Sequence, residues 1–270
     1  MKMVSASKLR RAQTAILNLR PYSNKLNEIL QNLSGSSDSM DAMPLFQQRE
    51  QKCVAIVVIS SNRGLCGAFN TNIVKKVEAM LREQYAQQEA AGNVFLYCIG
   101  KKAKEQLSKK HQIAWANEEL VDNSAFEEIA KLGEQLMTDF KEKKIDSVQI
   151  VYNRFVNQAT QELVAENYLP IKNLSTTGEK VTTNHDYIFE PDKESILTEL
   201  IPKILKLQLY KTLLDSIASE HGARMTAMHK ATDNATEILK DLRLKYNNAR
   251  QSTITNELIE IVSGAEALNN

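Results

Sequence analysis

Apolar positions along this chain follow one rule at its two ends and another in its middle. From Leu197, alternating steps of three and four residues land on Leu200, Ile204, Leu207, Lys211, Leu214, Ala218, His221, Met225 and Met228. The stepping continues through Thr232, Ala235, Leu239, Leu242, Tyr246, Ala249, Thr253 and Asn256. A seam that recurs every seven residues marks a helix that supercoils on a partner. At the other end the same stepping gives Met1, Ser5, Lys8, Ala12, Ala15, Leu19, Tyr22, Leu26, Ile29 and Leu33. Pro21 predicts a kink there, and Pro191 and Pro202 stand at the start of the C-terminal helix, where proline is tolerated or introduces a kink. The two ends, residues 1–33 and 193–270, therefore predict an antiparallel coiled coil.

A helix from Pro202 to Leu268 is on the order of 100 Å long at about 1.5 Å per residue. A compact globule of this chain length has a radius of gyration of only about 18 Å. The expectation is a shaft with a lobe. Many seam positions hold Ala, Thr, Ser, His, Lys or Asn. Small residues let helices approach closely but bury little, roughly 0.8 kcal/mol being lost per missing CH₂. Two readings stand side by side: an ordinary weak coiled coil, or a helix pair that further protein encloses on several sides.

The middle, residues 52–192, reads as an α/β, Rossmann-like lobe. Lys52–Ser60 (KCVAIVVIS) and Val94–Ile99 (VFLYCI) are continuous apolar runs suited to buried parallel strands. Ser147–Tyr152 is a third strand, and Ala159–Glu166 alternates like a half-exposed one. Helices are predicted over Thr71–Gln88, Lys101–Lys109 and Ser124–Lys144, the last with Ser124 as N-cap. Strands interleaved with helices imply a twisted, mainly parallel sheet. Residues 34–51, with the run SGSSDS near their start, read as a connecting loop.

Composition narrows the function. The chain has 270 residues, 34 Lys+Arg against 33 Asp+Glu, and a net charge of +1, so it is no general nucleic-acid binder. Its 9 Gly and 5 Pro are few, which suits long uninterrupted elements. The three cysteines, Cys53, Cys66 and Cys98, lack metal-ligand spacing and read as reduced thiols. No run approaches the roughly 20 apolar residues of a membrane span. Before the first acid, Glu28, stand Lys2, Lys8, Arg10, Arg11, Arg20 and Lys25. A basic start of this kind suits a transit peptide, but its apolar periodicity runs on past Glu28 without a break.

Gly64 and Gly67 follow a strand and precede a helix, where Rossmann folds hold a pyrophosphate. The pattern Gly-x-x-Gly falls short of both nucleotide-binding motifs, and a tight turn accounts for it. Cys66 between them reads as a small buried side chain rather than a nucleophile, since no base is in view. His221 and His229 lie eight residues apart with Glu220 beside the first, spacing that does not suit a shared metal. No catalytic site assembles, and neither a cofactor nor a metal is expected.

Several stretches together resemble the gamma subunits of F-type ATP synthases. They are Met1–Arg11 (MKMVSASKLRR) with Arg20–Tyr22 (RPY), Ser60–Asn70 (SSNRGLCGAFN), Asp186–Asp192 (DYIFEPD), Ser219–Ala235 (SEHGARMTAMHKATDNA) and Leu244–Ala267 (LKYNNARQSTITNELIEIVSGAEA). The resemblance implies a non-catalytic rotor. The terminal helices form an asymmetric coiled coil inside a hexamer of alternating alpha and beta subunits, and the lobe sits on the epsilon subunit and the membrane ring of c subunits. Ion flow turns the ring and the shaft, and the shaft drives the catalytic beta subunits through their conformations. By this resemblance the basic face Lys2, Lys8, Arg10 and Arg11 meets acidic loops of beta. Arg250, Gln251, Thr255 and Glu257, with Arg224 further down, lie where the long helix meets beta. Tyr187 and Glu190 fall where the lobe meets epsilon and the ring. Without the resemblance each of these is a solvated polar residue.

Family members carry several more helical turns before the segment that matches Met1, so by the resemblance either the start is misassigned or the chain is a fragment; if the start is real, the far end of the long helix, about Glu257–Asn270, is expected to lack part of its partner. The paired cysteines of the family's plastid members do not occur here. That favours a bacterial-type subunit, peripheral on the cytoplasmic side of the plasma membrane, with no inserted segment and no nucleic-acid partner. Two other classes stand beside the rotor: a coiled-coil scaffold or adaptor, and a nucleotide-dependent enzyme.

Overall fold

Runs of buried β-branched residues form the centre of the lobe. The computed structural model describes residues 1–34, 44–171 and 193–269. Helix α1 (Lys2–Ser34) comes first, then β1 (Val54–Ile59), α2 (Phe69–Glu83), α3 (Ala86–Ala90), β2 (Val94–Ile99) and α4 (Lys101–Leu107). There follow β3 (Ile113–Asn117), α5 (Glu119–Asn123), α6 (Phe126–Lys141), β4 (Ser147–Phe155), β5 (Gln161–Leu169) and α7 (Lys193–Asn269). The strands make one sheet in the order β3-β2-β1-β4-β5. All pairs are parallel except β4 with β5, which is antiparallel.

β1 lies in the middle and is buried on both faces, which is why its sequence does not alternate. Val54, Ile56 and Val58 face one apolar layer, with Ile73, Val77 and Leu81 of α2 and Leu107 of α4. Ala55, Val57 and Ile59 face the other, with Leu136 and Phe140 of α6 and Leu209 and Leu213 of α7. Helices on both faces of a parallel sheet give the expected α/β, Rossmann-like lobe.

Three local expectations are corrected. Ser124 does not cap α6; it has φ 43°, ends α5, and its N–H bonds the Leu120 carbonyl at 2.9 Å. The helix expected over Thr71–Gln88 is split into α2 and α3. The edge strand β3 and the short α5 carry too few apolar residues to have been predicted.

The chain divides into two units, Met1–Thr226 and Ala227–Asn270. In the first, α1 and α7 run antiparallel. Residues Val4–Ala15 share a crevice with Tyr210–Arg224, while Ile16–Leu26 share another with Ile204–Asp215. The seam of α1 is half as expected. Ser5, Ala12 and Leu26 are buried, but the alternate positions are Leu9 and Ile16, with Lys8 and Tyr22 exposed. A helix turned by one residue position puts the larger apolar chains inward and the lysine outward.

On α7, Lys211 of the seam is exposed and every residue from 212 to 222 is buried. Such all-round burial belongs to a helix surrounded by protein. For this stretch the enclosing protein is the chain's own sheet, α6 and α1. In the second unit, every residue from His229 through Ala265 is exposed, the seam positions from Thr232 to Asn256 included. Both α1 and α7 continue through their prolines, Pro21 and Pro202.

Candidate functional site

The β1–α2 turn is held by a knot of short polar side chains. Asn70, at the start of α2, accepts from the Ser61 N–H at 3.1 Å and donates to Ser61 Oγ at 2.8 Å and Cys66 Sγ at 3.3 Å. Ser61 Oγ also donates to the Arg63 carbonyl at 2.6 Å. Leu65 and Gly67 take φ of 63° and 62°, left-handed values that glycine adopts freely and leucine rarely. Gly67 thus serves a turn. Burial pushes the Cys66 thiol up, which disfavours the nucleophilic thiolate.

What this turn binds is a side chain of α7. Arg224 Nε donates to the Gly64 carbonyl at 3.1 Å, and Nη2 donates to the Arg63 carbonyl at 3.0 Å. Nη1 meets Glu220 Oε1 at 2.7 Å and His221 Nδ1 at 3.1 Å. All three guanidinium nitrogens have partners, and Arg224 is only 6% exposed. A phosphate loop aims backbone N–H groups at its ligand. This turn aims two carbonyl oxygens, so its polarity suits a cation.

One residue pair away, the β4–β5 hairpin meets the helix. A Cβ on Gly222 would stand 3.2 Å from the Gln158 carbonyl and 3.5 Å from Phe155, so any larger residue would have to push the hairpin back by a few tenths of an ångström. Thr226 Oγ1 donates to that same Gln158 carbonyl at 3.3 Å. The sheet order changes direction between β1 and β4. The crevice at the carboxyl ends of such strands is where open α/β sheets bind ligands. Here the turn after β1 and the hairpin after β4 hold Gly222, Arg224 and Thr226 instead.

The charges around Arg224 are tuned by burial. Burial raises the Glu220 carboxyl, and the adjacent guanidinium opposes that rise. Burial, then the Arg224 and Lys8 charges, push His221 down to about 4, so it is neutral at pH 7. A crevice of about 410 Å³ lies beside this cluster, lined by Lys8, Arg11, Asn62, Arg63 and Asp122 among others.

The structure separates the residues singled out by sequence. Lys2, Lys8, Arg10 and Arg11 are all exposed on α1. They do not form one face: at 3.6 residues per turn they spread over more than half the circumference, Lys8 and Arg11 toward the crevice, Lys2 and Arg10 away from it. Arg250, Gln251, Thr255 and Glu257 are exposed in the second unit, and Thr255 Oγ1 bonds the Gln251 carbonyl at 2.9 Å. Arg224, which the resemblance groups with the beta contacts, has a guanidinium that is buried and satisfied within the chain. Tyr187 and Glu190 lie outside the described residues. Sequence reading missed Asn70, Gly222 and Thr226. The one available signal was Glu220 four residues before Arg224, the spacing of a helical ion pair.

Comparisons with known proteins agree over the whole chain. The ATP synthase family matches residues 1–268. The ATP synthase gamma chain of Christiangramia forsetii is 52% identical over 269 residues, covering 100% of this chain and 92% of that protein. The gamma chain of Cytophaga hutchinsonii is 50% identical over 272 residues, again 100% and 92%. Among solved structures, a chain of the Tetrahymena thermophila mitochondrial ATP synthase central stalk and c-ring superposes with TM-score 0.63 at 24% identity, covering 86% of this chain and 97% of that one. A chain of the Euglena gracilis mitochondrial enzyme gives 0.60 at 20% identity, with 97% and 95% covered. These structures share the fold. Family match and full-length identity together place the chain: it belongs to the ATP synthase gamma chain family.

Proposed function

We propose that the chain is the central rotor shaft of an F-type ATP synthase, a non-catalytic subunit that couples ion-driven rotation of a membrane c ring to conformational cycling of catalytic beta subunits. The observation that carries this is the 52% identity to a gamma chain over 269 residues. Its partners are the alpha and beta subunits, the epsilon subunit and the c ring, and its place is peripheral, on the cytoplasmic side of a bacterial plasma membrane. Among the described residues no helix is long and apolar enough to cross a membrane.

The physics of coupling suits the fold. One charge crossing 100 mV supplies about 2.3 kcal/mol, so several crossings must be pooled through one stiff element for each ATP. A 77-residue helix, α7, is the element available. Its exposed apolar side chains in the second unit, Ile238, Leu242 and Tyr246 among them, are surface for a surrounding partner. Arg250, Gln251, Thr255 and Glu257, with Lys2, Lys8, Arg10 and Arg11, are the proposed contacts with beta, and Tyr187 and Glu190 those with epsilon and the ring.

The test is reconstitution. Membranes lacking their gamma chain should regain ATP-driven ion pumping when this chain is expressed with its own alpha, beta and epsilon subunits, and the chain should copurify with alpha and beta. Failure to copurify would remove the rotor reading and favour a scaffold.

A further inference from the structure

The carboxyl ends of β1 and β4 hold α7 from two sides at almost one level. Gly222 and Thr226 lie four residues apart and so share a stripe of the helix, facing the Gln158 carbonyl of the hairpin. Arg224 lies two residues from each, roughly 160–200° around the axis, and faces the Arg63 and Gly64 carbonyls. One contact is a close approach in which a Cβ at position 222 would crowd the Gln158 carbonyl at 3.2 Å. The other is a clamp in which two carbonyls of the turn take Nε and Nη2, while Nη1 stays with Glu220 and His221 of α7 itself.

We propose that the β1–α2 turn and the β4–β5 hairpin form a collar that stops α7 from rolling about its own axis inside the lobe, so that torque applied to the lobe enters the helix without slip. The inference rests on the rotor reading and adds to it the residues through which torque passes. Rolling by one residue position, about 100°, would carry Arg224 away from both carbonyls and leave those two acceptors without their donors. It would also bring a side chain against Gln158 where Gly222 now fits. The surrounding apolar packing resists sliding and rolling alike, and the close approach at Gly222 and the clamp add polar contacts that hold at one angle only. Arg224, Gly222 and Thr226 are thus positioning residues that act through the helix.

The experiment uses the assembled, membrane-bound complex. Arg224→Met and Thr226→Val, singly and together, are compared with wild type for ATP hydrolysis and for ions pumped per ATP on the same vesicles, at rising opposing gradient. Leu107→Ala, a core change in α4 on the far face of the sheet, serves as a destabilised control. The collar predicts that the double variant keeps hydrolysis within about twofold of wild type and pumps several-fold fewer ions per ATP, with the deficit widening under load. Arg224→Lys, which keeps the charge on a single donor nitrogen, should recover part of the ratio, and Leu107→Ala should leave it intact. If the variants only lower the amount of assembled complex while pumping per ATP is unchanged at every load, the residues are merely structural and the collar is overturned. A wild-type chain that neither assembles nor pumps removes the rotor reading itself, whereas a coupled wild type beside a fully coupled double variant removes the collar alone.

Discussion

Arg224 Nη1 stands 3.1 Å from Nδ1 of His221, one turn earlier on the same buried face. A guanidinium can only donate, so Nδ1 is the acceptor and the ring proton sits on Nε2. His221 therefore belongs to the clamp as a neutral base. Nitrogen chemical shifts of the ring should show the Nε2–H tautomer at pH 7.

That neutrality has a pH signature. Burial and the neighbouring cations hold His221 down to about 4, below the ordinary value near 6.5. A depressed histidine contributes stability that is complete above about pH 6.5 and is lost as pH falls toward 4. His221→Gln retains an acceptor for Arg224 and removes the titration. Denaturation of the isolated chain should give a constant stability difference above about pH 7. As pH falls from about 6.5 to 4 the variant should gain on wild type, by roughly 1.4 kcal/mol for each unit of depression at most. Glu220, which burial shifts upward, is common to both proteins and cancels in the difference.

Removing the clamp should cost more than a surface contact. Arg224→Met leaves the Glu220 carboxylate buried without its cation and strips two carbonyls of their donors. Breaking one side of a buried pair costs roughly 3–5 kcal/mol. Glu220→Gln combined with Arg224→Met should cost less than Arg224→Met alone, because no unpaired charge remains. Chemical denaturation of the isolated chain measures both.

The second unit should tolerate apolar truncation when the chain is alone. Leu239 and Leu242 are 49% and 60% exposed, so the cost of either to Ala should stay within about 1 kcal/mol. A fully buried leucine would cost roughly 2–5 kcal/mol. Once alpha and beta surround the helix, the same changes should reduce recovery of the assembled complex. Parallel unfolding and copurification assays separate the two states.

Arg250 and Gln251 are exposed and carry no apolar burial. Changing both to Ala should move the stability of the isolated chain by no more than about 0.5 kcal/mol. In the assembled complex the pair should lower ATP synthesis or ATP-driven pumping. Unchanged coupling would return both residues to ordinary solvated surface.

Strands buried on both faces were the most legible elements, because nothing polar interrupts them; β2 begins and ends where its apolar run does. The half-buried edge strand β3, with only Ile113, Ala114, Trp115 and Ala116 before Asn117, carries no period long enough to read. On α1 the heptad was visible but not its rotation, since Lys8 and Leu9 fit the stepping almost equally and only the packing on α7 decides between them. The clamp was least legible. A polar residue on a long helix reads as surface until the turn that binds it, 160 residues away in sequence, is in place.

The antiparallel pairing of α1 with α7 sets an order of events during synthesis. α1 leaves the ribosome before the lobe, and the residues that cover Ala12, around Leu214, are made about 200 residues later. At about 5–20 residues per second that is on the order of 10–40 s. For that time a basic, half-apolar helix has no mate in its own chain, and an isolated helix of this weak seam is marginal in water. The newborn protein must therefore keep its first segment from premature partners until its last third arrives.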